Sequence, residues 1–115
     1  MKLEVGQFVR TKSGIDKIIE IKEANKELDR YHIVTENNEM AFGYLAINKT
    51  IFVKDQLIDL IEVGDYVNGE KVYLIDGTMV VCLGSGANDL GYKENEIKSI
   101  LTHEMFEANC YKVVE

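Results

Sequence analysis

The chain has 115 residues and a formal net charge of −7, a length that suffices for one ordinary domain or two very small ones. Hydrophobic residues make up 46% and charged residues 29%, which is typical of a soluble globular protein and excludes a disordered chain. The sequence contains no run of about 18 apolar residues and no apolar N-terminal core of a signal peptide, so we expect a cytoplasmic protein with no membrane span.

Charge is distributed unevenly along the chain. Residues 1–60 hold nine Lys or Arg against ten Asp or Glu, and residues 61–115 hold four against ten, so the halves carry net charges of −1 and −6. Binding to a phosphate backbone depends on clustered Lys and Arg. The composition therefore argues against direct nucleic-acid binding by the second half.

Two short stretches of the sequence repeat each other. Leu3–Arg10, LEVGQFVR, aligns with Ile61–Asn68, IEVGDYVN, which matches Glu, Val, Gly and Val and pairs Phe8 with Tyr66. Strand alternation predicts that every second residue of each stretch lies on one face. These residues are Val5, Gln7 and Val9 in the first stretch and Val63, Asp65 and Val67 in the second. Phe8 is expected on the other face, and Gly6 is expected to admit a close backbone approach.

A turn signal and two apolar strands follow each of these stretches. The turns are TKSG at 11–14 and Asn68-Gly69, and the second is the stronger because both of its residues tolerate positive φ. The predicted strands cover residues 15–21, 30–36, 71–75 and 78–83. The halves also end with matched apolar spacing, at residues 55–61 and 95–101.

Short strands, frequent turn signals and the absence of proline predict a mainly β fold. We expect two tandem small antiparallel barrels packed together, with a short C-terminal helix. An opening of the form V-G-x-[FY]-V followed by a turn and a Val/Ile-rich strand is similar to the SH3-like barrels, including chromo-barrel and KOW-type versions, a fold that implies no single function. Module one is predicted at residues 1–60 and module two at residues 61–115.

Each predicted module has an addition. In module one, residues 21–28 are expected to form a brief helix exposed to solvent, and residues 37–50 an irregular loop. In module two, Thr102 is the predicted N-cap of a short helix in which Met105 and Phe106 pack inward, and residues 110–114 are predicted to form a closing strand.

The sequence shows no catalytic or metal-binding pattern. The glycines of LGSGANDLGY, residues 83–92, fit neither the dinucleotide fingerprint nor the P-loop spacing. His32 and His103 have no Cys, His or carboxylate nearby at a metal-ligand spacing, and Cys82 and Cys110 are expected as buried, reduced thiols that make poor nucleophiles. We therefore expect no metal, no cofactor and no enzymatic activity.

Exposed aromatic and acidic side chains are the remaining candidates for function, because aromatic anchors dominate interface energies. The most apolar irregular segment, NEMAFGYLAI at 38–47, is the predicted contact loop. The candidate partner-binding residues are Met40, Phe42, Tyr44, Asp65, Tyr73, Asp89, Tyr92, Glu94 and Glu96.

Two segments, LIDLIEVGDYVNGEKV at 57–72 and NEIKSILTHEMFEANCYKV at 95–113, give the chain a family resemblance. It resembles small phage and prophage proteins of low-GC Gram-positive bacteria. The resemblance implies a phage accessory protein in a bacterial cytoplasm, and it implies no activity for any particular residue.

In that setting, we expect a non-enzymatic module that binds and modulates a host protein. One version makes the partner a nucleic-acid-processing enzyme, such as a nuclease of a CRISPR defence system, which the acidic second half would inhibit by imitating a phosphate array. The alternatives are a nucleic-acid-associated module of the KOW type, or a structural phage component. The KOW-type alternative would use Lys12, Lys17, Lys22, Lys26 and Arg30.

Overall fold

A computed structural model of the chain describes residues 3–83 and 89–110. Within these residues the molecule is mainly β, with two five-stranded antiparallel sheets and one short C-terminal helix, which confirms the β character and the helix of the predicted fold class. Neither sheet closes on itself within the described ranges, since each has two edge strands. The predicted closing strand at 110–114 lies outside the described residues apart from Cys110.

The chain divides into two compact units, Met1–Thr11 with Ile15–Leu60, and Lys12–Gly14 with Ile61–Glu115. The strands of the first unit pair in the order β4-β3-β2-β1-β5. Their bounds are β1 Phe8–Thr11, β2 Gly14–Asn25, β3 Arg30–Thr35, β4 Glu39–Phe42 and β5 Phe52–Lys54. A 3₁₀ helix, Tyr44–Ala46, lies between β4 and β5, and a second, Leu57–Leu60, follows β5.

The strands of the second unit pair in the order β10-β6-β7-β8-β9. Their bounds are β6 Tyr66–Val67, β7 Glu70–Asp76, β8 Met79–Leu83, β9 Asp89–Lys93 and β10 Ile100–Leu101. A 3₁₀ helix, Glu94–Glu96, lies between β9 and β10, and the α-helix α1, His103–Asn109, follows β10. Within the described residues, no helix has the length and apolar character needed to cross a membrane.

The two units therefore share one strand order, in which the fifth strand pairs with the first. Phe8 pairs with Lys54 in the first unit, and its counterpart Tyr66 pairs with Leu101 in the second. Lys54 thus corresponds to Leu101. The match predicted between the ends of the two halves is wrong, because it aligned residues 55–61, which follow the fifth strand of the first unit, with residues 95–101, which lead into and include the fifth strand of the second.

The repeated openings have the same hydrogen bonds. The Gly6 N–H donates to the Ile18 carbonyl at 2.9 Å, and the Gly64 N–H donates to the Val72 carbonyl at 2.9 Å. Both glycines have φ of 100°, a conformation that side-chain-bearing residues rarely adopt. Among the residues that the structure describes, nothing lies within 4 Å of the Cβ position of Gly6, so the glycine is needed for its φ and not, as expected, for a close approach.

The expected alternation fails at the start of each opening. Val5 and Val63 are exposed, whereas Val9 and Val67 are buried. The reason is that the glycine turn precedes the strand, which begins only at Phe8 or Tyr66. A period of two therefore holds inside the strands but not across the turn.

Alternating apolar residues form the buried faces of both sheets. The core of the first unit consists of Leu3, Val9, Ile18, Tyr31, Ile33, Ile51 and Val53. In the second sheet, the fully buried side chains include Val67, Val72, Val80 and Cys82. The predicted turn at Asn68-Gly69 is confirmed, with φ of 53° and 84°, as a two-residue hairpin of the I′ kind requires.

Two local predictions for the first unit are wrong. Residues 21–25 continue β2 instead of forming a helix, because Ala24 and Asn25 pair with Tyr31 and Arg30 in a long hairpin. Part of the expected irregular loop is the strand β4. The prediction for the C-terminal helix is confirmed in its start, since the Thr102 hydroxyl accepts the Met105 N–H at 3.3 Å.

Candidate functional site

Asp29 fixes the position of the predicted contact loop. It lies in the turn between β2 and β3 with φ of 54°, a left-handed conformation that Asp tolerates better than most residues. Its carboxylate accepts the N–H of Tyr44, at the start of the first 3₁₀ helix. A Cβ on Gly43 would lie 3.0 Å from this carboxylate, so the glycine leaves the space that the contact needs.

Three large apolar side chains are exposed beside this tether. Leu45 is 72% exposed, Leu28 is 59% exposed and Tyr44 is 54% exposed. Leu28 directly precedes Asp29, and the other two belong to the helix that Asp29 holds. Because the carboxylate fixes the backbone beneath them, these side chains start from a partly ordered position, which lowers the entropy cost of binding a partner.

A cavity of about 450 Å³ opens at the same end of the first sheet. It is lined by Glu23, Asp29, Arg30, Tyr31, His32, Ala41 and Phe42. Tyr31 and Phe42 stack with ring centroids 5.6 Å apart and form an aromatic wall. We call the cavity together with Leu28, Tyr44 and Leu45 the Asp29 surface.

A small ion-pair cluster borders the cavity. His32 Nε2 lies 2.7 Å and Lys22 Nζ 2.9 Å from Glu39 Oε1. The hydrogen bond from Lys22 and its positive charge lower the pKa of Glu39, with His32 adding to the effect. The same contact raises the pKa of Lys22. The cluster keeps Glu39 ionised. It also engages Lys22, one of the basic residues that the alternative function, a nucleic-acid-associated module, would use.

Of the three candidate residues of the first unit, Met40, Phe42 and Tyr44, the structure brings Phe42 and Tyr44 to one surface. Met40 and Phe42 pair with the buried residues Ile33 and Tyr31, so both face inward and are half-buried. Phe42 nevertheless lines the cavity, and Tyr44 projects into solvent. Residues 38–47 thus contribute Phe42 and Tyr44 to one surface, and of these two aromatic residues only Tyr44 is prominently exposed.

Asp65 does not have the exposure expected of a contact residue. It is fully buried, and its two carboxylate oxygens accept the N–H groups of Glu62 at 2.8 Å and His103 at 2.9 Å. The expectation depended on the acidic character of Asp65, which does not reveal that the side chain binds backbone amides. Asp65 links the start of the second unit to the start of α1.

The other candidates of the second unit differ in exposure. Tyr73 is 38% exposed, Tyr92 lies opposite the buried Val80 and is half-buried, and Glu94 is half-buried. Glu96 Oε1 accepts the Lys93 N–H at 2.9 Å, so this carboxylate has a local structural role. Asp89 begins β9, and its side chain lies outside the described residues.

The structure also shows a donor cluster that sequence reasoning missed. Ligand atoms of Glu62, His103 and Glu104 all lie within 4.8 Å of one another. His103 Nε2 is 2.9 Å from Glu104 Oε1 and 3.6 Å from Glu62 Oε2. The expectation that His103 has no carboxylate neighbour at a metal-ligand spacing is therefore wrong. Glu62 is far from His103 in sequence, and only the repeated fold could have suggested the contact.

The two cysteines differ in environment. Cys82 is buried and Cys110 is exposed, so the expectation of burial is confirmed for the first and wrong for the second. Burial raises the pKa of the Cys82 thiol, and the charge of Glu70 adds to the effect. A thiol in such a place is a poor nucleophile.

Comparison of the chain with protein-family models, with curated proteins and with solved structures found no match in any of the three. The resemblance to phage proteins and the SH3-like identity therefore stay predictions. The functional proposal depends on the geometry of the chain itself.

Proposed function

We propose that this chain is a protein-binding module and that the Asp29 surface is its contact site. The observation that carries the proposal is the exposure of Leu28, Tyr44 and Leu45 beside a tethered turn. Large apolar side chains grouped in this way are costly in water. Removing them from water on a partner gives the favourable term that drives association.

The cavity extends this surface and indicates what the partner offers. Its aromatic wall would pack against an apolar or aromatic side chain, while Glu23, Asp29 and Arg30 supply charged groups at its lining. Interfaces combine apolar anchors with a polar rim in this manner. We infer that a single projecting side chain of the partner enters the cavity and that Tyr44 and Leu45 cover its flanks.

The identity of the partner stays a prediction. The resemblance to phage proteins implies a bacterial host protein, and the charge of the acidic second half suggests a defence nuclease as the specific version. The burial of Asp65 removes one carboxylate from the array that could imitate phosphates. The apolar Asp29 surface therefore has more support as the contact site than acidic mimicry.

The SH3-like identity of the two units is also a proposal. It is supported by the shared strand order and by a 3₁₀ helix between the fourth and fifth strands of both units. Such folds carry many functions, so the proposed identity adds nothing to the choice of partner.

Affinity capture from a bacterial lysate tests the proposal. The variant Leu45→Asp places a charge in the exposed apolar group, and Leu83→Asp makes the same change at an exposed leucine of the second sheet that is 55% exposed. We expect the wild type and Leu83→Asp to bind the same partner, and Leu45→Asp to bind at least about tenfold more weakly, as for a hot-spot residue.

The identified partner is then purified and titrated at low and high salt. Binding anchored by apolar side chains should change little with salt, whereas acidic mimicry should weaken steeply. Equal loss of binding in both aspartate variants, or loss in Leu83→Asp alone, would place the contact site elsewhere.

A further inference from the structure

We propose that Glu62, His103 and Glu104 form a binding site for one divalent transition-metal ion of the Zn²⁺ type. All three residues belong to the second unit. The inference is independent of the Asp29 surface, which lies in the first unit.

The separations of the ligand atoms suit a metal ion. His103 Nε2 lies 2.9 Å from one carboxylate oxygen and 3.6 Å from the other, and the three ligand atoms lie within 4.8 Å of one another. Zinc binds nitrogen and carboxylate oxygen at about 2.0–2.2 Å, which places tetrahedral ligand atoms about 3.3 Å apart. An ion therefore fits after side-chain adjustments of a few tenths of an ångström to about 1.5 Å.

The charges of the cluster also favour a cation. Two carboxylates lie within 3.6 Å of a single imidazole nitrogen. A divalent ion would attract both carboxylates while binding the nitrogen lone pair.

The donor types indicate which metals would bind. Imidazole suits Zn²⁺, Co²⁺, Ni²⁺ and Cu²⁺, whereas Ca²⁺ and Mg²⁺ prefer sites made of oxygen ligands only. Three protein ligands leave at least one position of a tetrahedral ion open. That position is available to water or to a donor atom from another molecule.

A buried carboxylate holds the ligand-bearing segments in place. The two oxygens of Asp65 accept the backbone N–H groups of Glu62 and His103, and Asp65 itself is fully buried. The Thr102 hydroxyl, also buried, caps the first turn of α1. The backbones that carry the donors are thus fixed before an ion binds, which supports affinity.

The first unit provides an internal comparison. Its opening has the same turn. Gln7 Oε1 accepts the Glu4 N–H at 2.8 Å, just as the Asp65 carboxylate accepts the Glu62 N–H at 2.8 Å. The strand registers place Gln56 and Leu57 where the second unit has His103 and Glu104. The fold alone therefore does not generate the donor set, which is specific to the second unit.

Titration of the full chain with Zn²⁺ and Co²⁺ tests the proposal. Binding is measured by calorimetry and through the NMR signals of the two histidine rings. Cys110→Ser serves as the background, because the exposed thiol is a competing metal ligand. We expect one ion per chain, with the ring signals of His103 perturbed and those of His32 unchanged. The Co²⁺ complex should lack the charge-transfer bands of a thiolate.

The variants His103→Gln and Glu62→Gln should each weaken binding at least about tenfold. His32→Gln is the matched control, since it removes the other imidazole that contacts a carboxylate, and it should bind as the wild type does. Circular dichroism confirms folding, and Glu62→Gln keeps the test valid if His103→Gln does not fold. No perturbation of His103 at about 1 mM metal, or equal affinity in His103→Gln and the wild type, would overturn the proposal.

Discussion

Replacing Asp65 by Asn exchanges a single heavy atom, and we expect this small change to destabilise the chain strongly. The carboxylate accepts two backbone N–H groups at 2.8 and 2.9 Å in a fully buried position. Asn keeps one acceptor oxygen and turns an NH₂ group toward the other donor. Hydrogen bonds to charged groups contribute about 1.5–3 kcal/mol, and leaving a buried donor unpaired costs about 1–3 kcal/mol.

We therefore expect Asp65→Asn to lower the free energy of unfolding by about 2–4 kcal/mol. In urea, with a slope of about 2 kcal/mol per M, the midpoint should fall by about 1–2 M. Far-UV circular dichroism follows the transition, and amide exchange should accelerate at Glu62 and His103, the two donors. The matched variant Gln7→Ala removes the corresponding side chain of the first unit, which is half-exposed, and should cost only about 1 kcal/mol.

A loss below about 0.5 kcal/mol for Asp65→Asn would refute this reasoning. It would mean that the cost of burying the charge cancels its hydrogen bonds. An equal effect of Asp65→Asn and Gln7→Ala would also contradict it, because burial is the difference between the two sites.

Three further predictions concern separate parts of the chain. Gly64→Ala should cost about 1–3 kcal/mol in urea unfolding, because φ of 100° is strained for alanine; a neutral result would contradict the role given to that φ. Iodoacetamide should modify Cys110 in the native protein and Cys82 only after unfolding, as read by mass spectrometry, and rapid native labelling of Cys82 would contradict its burial. Lys22→Met should raise the pKa of Glu39, measured from its carboxyl carbon by NMR, since the lysine contact holds that pKa below its usual value. The folded pKa of Glu39 is lowered, so its contribution to stability is present above its unfolded pKa and fades as the pH falls through the folded one.

The sequence predicted the parts of the fold that depend on local chemistry. Alternating apolar residues identified β3, β7 and β8, the Asn68-Gly69 pair identified its turn, and Thr102 identified the helix start. Each of these features depends on a few neighbouring residues. The repeat was visible for the same reason, since eight aligned residues contain the glycine turn and the strand that follows it.

Features that depend on contacts distant in sequence were missed. The charged segment at 21–25 has no strand pattern of its own and is held in β2 by pairing with β3. Asp29 gives no sequence signal that it binds the backbone of Tyr44, and Glu62 gives none that it meets His103. The contact loop was predicted from its apolar composition, but its tether and the adjacent cavity required the structure.

Site-specific photocrosslinking in living bacteria tests the proposed contact site most directly. A photoreactive residue is introduced at position 45 in one variant and at position 83 in another, since both native leucines are exposed. We expect that one partner is crosslinked efficiently from position 45 and not from position 83. Crosslinking of the partner from position 83 alone would contradict the assignment of the Asp29 surface.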